Sequence, residues 1–164
     1  MEKAPLISMH KKWVDLIKQG LKLKELRKWI PKEYVGPVYV CSTKSSGGSG
    51  KVEFSFWFEG YDTIKNIYDG IYDDKFIYDF DGKLDLPIKL CLKIQQINDY
   101  GKGKTLYAWH INKLEVFDKP KELSEFYKIN SHIPSNDPNM EEFDDMYEDG
   151  RLTKAPQKMV WVWV

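Results

Sequence analysis

The chain has 164 residues, 42% apolar and 15% aromatic, with two cysteines and 25 basic residues matched by 25 acidic ones. That length fits one domain, large enough to bury a core without disulfide or metal staples, and the many rings must in part fill that core. The N-terminal stretch is polar and no apolar run approaches the ~18 residues of a membrane span, so the sequence speaks against a membrane or secreted protein and for a soluble, cytoplasmic one.

Zero net charge hides an asymmetry. Residues 1–51 hold 11 Lys and Arg against 4 Asp and Glu, which leaves 14 against 21 for the remainder. Either the two halves interleave in space and cancel, or a basic face forms, the footprint of a phosphate binder. Cys41 and Cys91 lie in apolar, strand-like runs and read as buried free thiols. No Cys-x-x-Cys pair or Cys/His spacing suggests zinc, so neither a metal nor a cofactor is expected.

Pro5 to Met9 reads as a first strand. His10 to Gln19 reads as an amphipathic helix with Trp13, Leu16 and Ile17 at helical spacing, a basic outer face and Gly20 as its stop. The charged run Leu21 to Arg27 alternates imperfectly and suits a strand, ended by Trp29-Ile30-Pro31. Val38 to Ser42 is a strand by its β-branched and aromatic content, and Ser45 to Gly50 a flexible hairpin tip. In Lys51 to Glu59, Val52, Phe54, Phe56 and Phe58 alternate with Glu53, Ser55 and Trp57, the pattern of a half-buried strand. Trp57 then faces either solvent or a second packed layer.

Asp62 is placed to cap a short helix through Ile71, and Tyr72 to Asp85 reads mostly as loop. Ile88 to Ile94 alternates and predicts a strand, turned back by Asp99 to Gly103. Tyr107 to Val116 predicts its partner, with a one-residue phase shift that suggests a bulge. Pro120 to Tyr127 opens a short helix, 131–149 is a polar, acidic excursion, and Lys158 to Val164 is a strand that closes a sheet. The tally is about six strands and three short helices, an α+β protein whose mostly antiparallel sheet is curled or closed.

The order strand, helix, Gly20-x-Lys22-x-x-Glu25-x-Arg27, then Val38 to Ser42 running into Thr43-Lys44, resembles the ASCH domain, a family within the PUA-like β-barrels. Trp13, Ile17 and Gly20 are similar to its lead-in, Lys51 to Phe58 to its next barrel strand, and Leu152-Thr-Lys-Ala-Pro-Gln157 to the closing segment of bacterial and phage members. The resemblance implies a single domain over 1–164, a small PUA-like barrel with short flanking helices. The Gly/Ser loop at 45–50 and the excursion at 131–149 are then elaborations. It also implies a cleft beside the first helix that takes RNA or a nucleotide. Some small members are amidohydrolases of acetylated cytidine, using the motif lysine, a threonine three residues on and a distant glutamate. Here Lys22 matches the lysine, but Glu25 stands at the threonine, and a carboxylate does not replace a hydroxyl nucleophile. That departure argues against the same amidohydrolase mechanism and moves the expectation from catalysis towards binding, with ribonuclease activity left open.

On that reading Lys22 and Arg27 contact phosphate, Arg27 bidentately, and Glu25 accepts from a base edge or 2′-hydroxyl. The same three residues equally suit an ion-pair cluster. Lys44 and Ser42 join them from the neighbouring strand, and Trp13, Trp29 and Trp57 are candidate stacking rings, Trp13 doubling as core. His10, just before the helix, is the histidine of interest, with Ser8 near the same edge. The expected partner is RNA or a nucleotide and the expected state a monomer. A hydrolase acting on RNA or a modified nucleoside and a protein-binding module are the alternatives.

Overall fold

The computed structural model describes residues 2–68, 76–129, 147–148 and 150–164. Two compact units make up the chain: residues 1–15, 36–56 and 114–164 form the first, and residues 16–35 and 57–113 the second. In chain order the elements are β1 (Lys3–Met9), α1 (Lys11–Lys18), β2 (Lys24–Arg27), β3 (Gly36–Ser42), β4 (Val52–Phe58), β5 (Tyr61–Asn66) and β6 (Tyr78–Asp79). There follow α2 (Leu86–Leu90), α3 (Ile94–Gly101), β7 (Leu106–His110), β8 (Asn112–Lys121), β9 (Tyr127–Lys128), β10 (Tyr147–Glu148), β11 (Arg151–Leu152) and β12 (Val160–Trp163).

The first unit is built on an eight-stranded sheet in the order β10-β11-β9-β12-β1-β3-β4-β8. β1 runs parallel to β3, with Ser8 opposite Cys41, and antiparallel to β12, with Lys3 opposite Trp163. Flanked on both sides and buried along most of its length, β1 reads as an unbroken apolar run, as interior strands do. Leu6, Cys41, Val52, Leu123, Phe126, Leu152 and Val162 pack into this unit's core. The one-turn helix Leu123–Glu125 supplies Leu123, in place of the longer helix expected from Pro120.

The second unit carries a four-stranded antiparallel sheet, β2-β7-β5-β6, against which α2 and α3 pack Leu86, Leu90 and Ile97. The architecture is α+β with two sheets, and the pairings among the described residues do not include the closure of a barrel. The excursion at 131–149 lies outside the described residues, apart from the two residues of β10.

Several expectations are corrected. Asp62 does not cap a helix; it lies in strand β5. Ile88 to Ile94 is not a strand. Asp85 and Pro87 open a helical turn, Cys91 ends it at φ 54°, and Ile94 begins α3, which runs through the expected turn at Asp99. Period two in Ile88, Leu90, Leu92 and Ile94 was misleading, because Ile88 and Ile94 are exposed while Leu90 and Ile97 are core. β4 is buried on both faces, Glu53 and Ser55 included, and is not half-buried.

Candidate functional site

Helix α1 ends as its glycine requires. Gly20 sits at φ +73°, a conformation open to it without a Cβ penalty, and Leu21 and Lys22 both donate back to the Leu16 carbonyl. The chain leaves that turn with Leu21 and Leu23 exposed and Lys22 inside, the reverse of what hydropathy alone suggests. Lys22 is 2% exposed. Its Nζ donates to the Leu90 carbonyl at 2.6 Å and stands 3.5 Å from Glu25 Oε2. Glu25 Oε1 in turn lies 3.0 Å from Arg27 Nε. The three charged residues of the motif therefore converge in the second unit with the carboxylate between the cations, and Lys22 ties β2 to the end of α2.

A second charged cluster, absent from the sequence reading, lies on the other face of that sheet. Asp62, 7% exposed, accepts from Lys24, from Lys83 at 2.5 Å and from His110 Nε2 at 3.1 Å. Cross-strand register explains the assembly, since Lys24 stands opposite His110 and Asp62 opposite Ala108, one pair along. Burial pushes the Asp62 carboxyl up, but the hydrogen bonds from Lys24, Lys83 and His110 outweigh it and hold the group well below the usual carboxylate range.

The first unit holds a cleft of about 560 Å³ lined by Ser8, His10, Thr43, Lys44, Ser45, Gly50, Leu123 and the segment Thr153 to Gln157. Topology brings these distant segments to one sheet end. Parallel pairing places the C-terminal ends of β1 and β3 side by side, and the Thr43 amide donates to the Met9 carbonyl at 3.0 Å. Antiparallel pairing of β12 with β1 returns the residues before β12 to that same end. The β3–β4 loop is then fastened to the helix start. Ser46 Oγ accepts from the Lys11 amide at 2.8 Å and donates to the Thr43 carbonyl at 2.9 Å.

His10, whose carbonyl takes the Trp13 and Val14 amides, opens α1 at the cleft. The helix thus presents its positive end beside Lys44 and Lys154. Leu123, Ala155 and Pro156 give the wall an apolar portion, and the hydroxyls of Ser8, Thr43, Ser45 and Thr153, with the Gln157 amide, give it hydrogen-bonding groups.

Of the residues expected at a site, Lys44, His10 and Ser8 meet in this cleft, whereas Lys22, Glu25 and Arg27 lie together in the second unit. Ser42 is buried, and a Cβ on Gly48 would fall 2.0 Å from its hydroxyl, so the glycine there is required by close approach. Trp13 is half-buried with the Lys12 ammonium 4.7 Å above its ring. Trp29 packs edge-on against Trp109 at 4.9 Å and accepts the Trp109 indole N–H at its carbonyl. Trp57 carries the Lys113 ammonium 5.0 Å over its ring. Thr43, Ser45, Thr153, Lys154 and Gln157 were not singled out; the available signal was that Leu152 to Gln157 resembled a family segment. Among the described residues no group of three or more His, Cys, Asp and Glu gathers to hold a metal ion, and no helix is long and apolar enough to cross a membrane.

The sequence matches no protein-family model and no curated protein. Solved structures do match. A Zymomonas mobilis ASCH structure superposes with a TM-score of 0.60 at 16% identity, covering 98% of this chain and 87% of that one. Two variants of the same Zymomonas mobilis protein, one with a tyrosine-to-phenylalanine and one with a serine-to-alanine substitution, each give 0.59 at 16% identity. They cover 99% and 98% of this chain and 91% and 88% of theirs. At that identity the likeness is one of architecture, and on it the chain has the ASCH-domain fold.

Proposed function

We propose that this protein binds RNA or a nucleotide in the first unit's cleft, with Lys44 and Lys154 facing phosphate. The observation that carries the reading is the cleft's composition. Two exposed lysines and a helix N-terminus stand over hydroxyl and amide groups, with an apolar portion formed by Leu123, Ala155 and Pro156. Phosphate suits the cationic rim, a base suits the apolar portion, and Gln157 and Thr153 suit a base edge or ribose. A volume of about 560 Å³ accommodates a nucleotide but not a duplex. The likeness to ASCH structures adds an architecture in keeping with this reading.

In this assignment Lys22, Glu25 and Arg27 act first on one another. A lysine 2% exposed and bonded to a carbonyl is poorly placed to give its charge to a ligand, so the phosphate role passes to Lys44 and Lys154. Residues 1–164 are taken as one ASCH-type domain acting as a cytoplasmic monomer.

Anisotropy titration of a labelled single-stranded RNA ten-mer between 50 and 200 mM salt tests the assignment. Lys44→Ala and Lys154→Ala are each expected to weaken binding and to lower the slope of log K against log salt by about 0.7. Wild-type affinity that ignores salt, or a double variant that binds as wild type, would overturn it. His10 in the same cleft supports a second reading, hydrolysis, since imidazole can move a proton at neutral pH. Product from RNA or acetylated cytidine that disappears in His10→Ala would establish that reading in place of simple binding.

A further inference from the structure

The loop between β3 and β4 closes on its own backbone. The Gly47 amide donates to the Lys44 carbonyl at 2.9 Å, the Gly48 amide to the Thr43 carbonyl at 2.9 Å and the Gly50 amide to the Ser42 carbonyl at 2.8 Å. The Ser42 amide donates to the Lys51 carbonyl at 3.0 Å. This closure brings Gly50 back against Lys44. Gly50 lies at φ +73°, and a Cβ placed on it would fall 2.5 Å from Lys44 Cε, 2.7 Å from Cγ and 3.0 Å from Cδ. The lysine stem thus lies along the bare α-carbon from Cγ to Cε, and both residues line the cleft. Neighbouring cations are committed elsewhere. Lys11 pairs with Asp15, Lys51 with Glu122 at 2.5 Å, and Lys12 stands over the Trp13 ring. Lys44 has no acidic partner among the described residues, so no ion pair fixes its ammonium.

We propose, resting on the reading of this cleft as a phosphate-binding site, that Gly50 is a positioning residue for Lys44: its missing side chain leaves the bed on which the stem is laid, and so aims the ammonium at the ligand. A lysine stem is flexible, and immobilising it in a complex costs entropy. A stem already bedded on the backbone has given up part of that freedom before the ligand arrives, so the contact costs less to make. Any Cβ at this position displaces the stem and the ammonium with it. The backbone bonds that close the loop need no side chain at Gly50 and can persist. Positive φ is not the whole reason for glycine here. Asparagine also enters that region, yet its Cβ would meet the same lysine atoms.

The test uses the full chain, with two readouts. Without ligand, NMR of the wild type should show Overhauser contacts from the Gly50 α-protons to the Lys44 methylenes. With the labelled RNA ten-mer between 50 and 200 mM salt, Gly50→Ala and Gly50→Asn should each lower the salt slope by about 0.7, as Lys44→Ala does. The affinity advantage of the wild type over each then shrinks about 2.6-fold across that range. A double variant, Gly50→Ala with Lys44→Ala, should bind no more weakly than Lys44→Ala alone. A glycine that merely shapes the loop would lower affinity with the slope kept, and would weaken Lys44→Ala further; either result overturns the positioning role. Wild-type binding by Gly50→Asn, or absent Overhauser contacts, overturns it as well. All these outcomes leave the cleft standing if Lys44→Ala binds weakly. If Lys44→Ala binds as the wild type, the lysine serves no ligand, and its place in the cleft falls together with the role of Gly50.

Discussion

Asp62→Asn isolates the charge of the cluster on the second unit's core face, because the amide keeps the size of the carboxylate and one acceptor oxygen. In the native protein the carboxylate is 7% exposed and serves two lysines and a histidine, of which Lys24 is the most buried at 15%, His110 is 35% exposed and Lys83 48%. Removing one partner of a buried ion pair costs about 3–5 kcal/mol, since the other charge is left uncompensated. Solvent around Lys83 and His110 screens part of that loss, which places the expectation at the lower end, about 3 kcal/mol. For a chain of this length that lowers Tm by about 6–12 °C, readable by circular dichroism at pH 7. The pH dependence has a definite sign. A carboxyl held below its unfolded value of about 3.9 contributes stability that is complete above that value and is lost as pH falls through the folded one. The carboxylate's share of the gap between wild type and Asp62→Asn should therefore close progressively below about pH 4. A gap under about 0.5 kcal/mol at pH 7, or one that widens as pH falls below about 4, would refute the reasoning.

Two further outcomes follow from the burial pattern. Lys22→Met keeps the aliphatic stem but leaves the Leu90 carbonyl and Glu25 without the ammonium, so urea titration should show a loss of about 2–3 kcal/mol with RNA affinity little changed. An unchanged stability with a reduced salt slope would instead place Lys22 on a phosphate. Burial, and then the charge of Glu53, push the Cys41 thiol up to about 12. At pH 8 an aromatic disulfide reagent should therefore modify at most Cys91 in the native protein and both thiols after unfolding. Rapid labelling of both cysteines in the native state would contradict this.

The strands and helix at the two ends of the chain were legible because each obeys one period. Pro5 to Met9 and Val38 to Ser42 put apolar residues where the element needs them, and Gly20 marks a real left-handed stop. In the helix Ile17 is buried with Val14, while the expected Trp13 and Leu16 are only half-buried. Misreadings arose where charge is buried. Asp62 looked like a helix cap because a carboxylate on a core face is unexpected, and only the pairing of β5 with β7 brings His110 into reach, while Lys24 and Lys83 come from elsewhere in the chain. Lys22 and Glu25 broke the alternation of Leu21, Leu23 and Leu26 for a similar reason, since the carbonyl that receives Lys22 belongs to Leu90. Around 88–94, exposed isoleucines imitated a strand. As for the cleft, Ser8 and His10 adjoin the first helix in sequence and Lys44 follows β3 directly, so all three were within reach. Thr153 to Gln157 join them only through the pairing of β12 with β1, which no local pattern encodes.

That pairing also sets an order of events during synthesis. β1 and β3 leave the ribosome early, and their parallel pairing can form as soon as α1 and β2 have followed. The other edge of β1 waits for residues 160–163, which at ~5–20 residues per second arrive on the order of ten seconds later. Throughout that interval the nascent chain displays an apolar strand with a bare hydrogen-bonding edge, a template for pairing with any extended segment nearby. The cleft, whose wall includes the residues just before β12, is likewise incomplete until then.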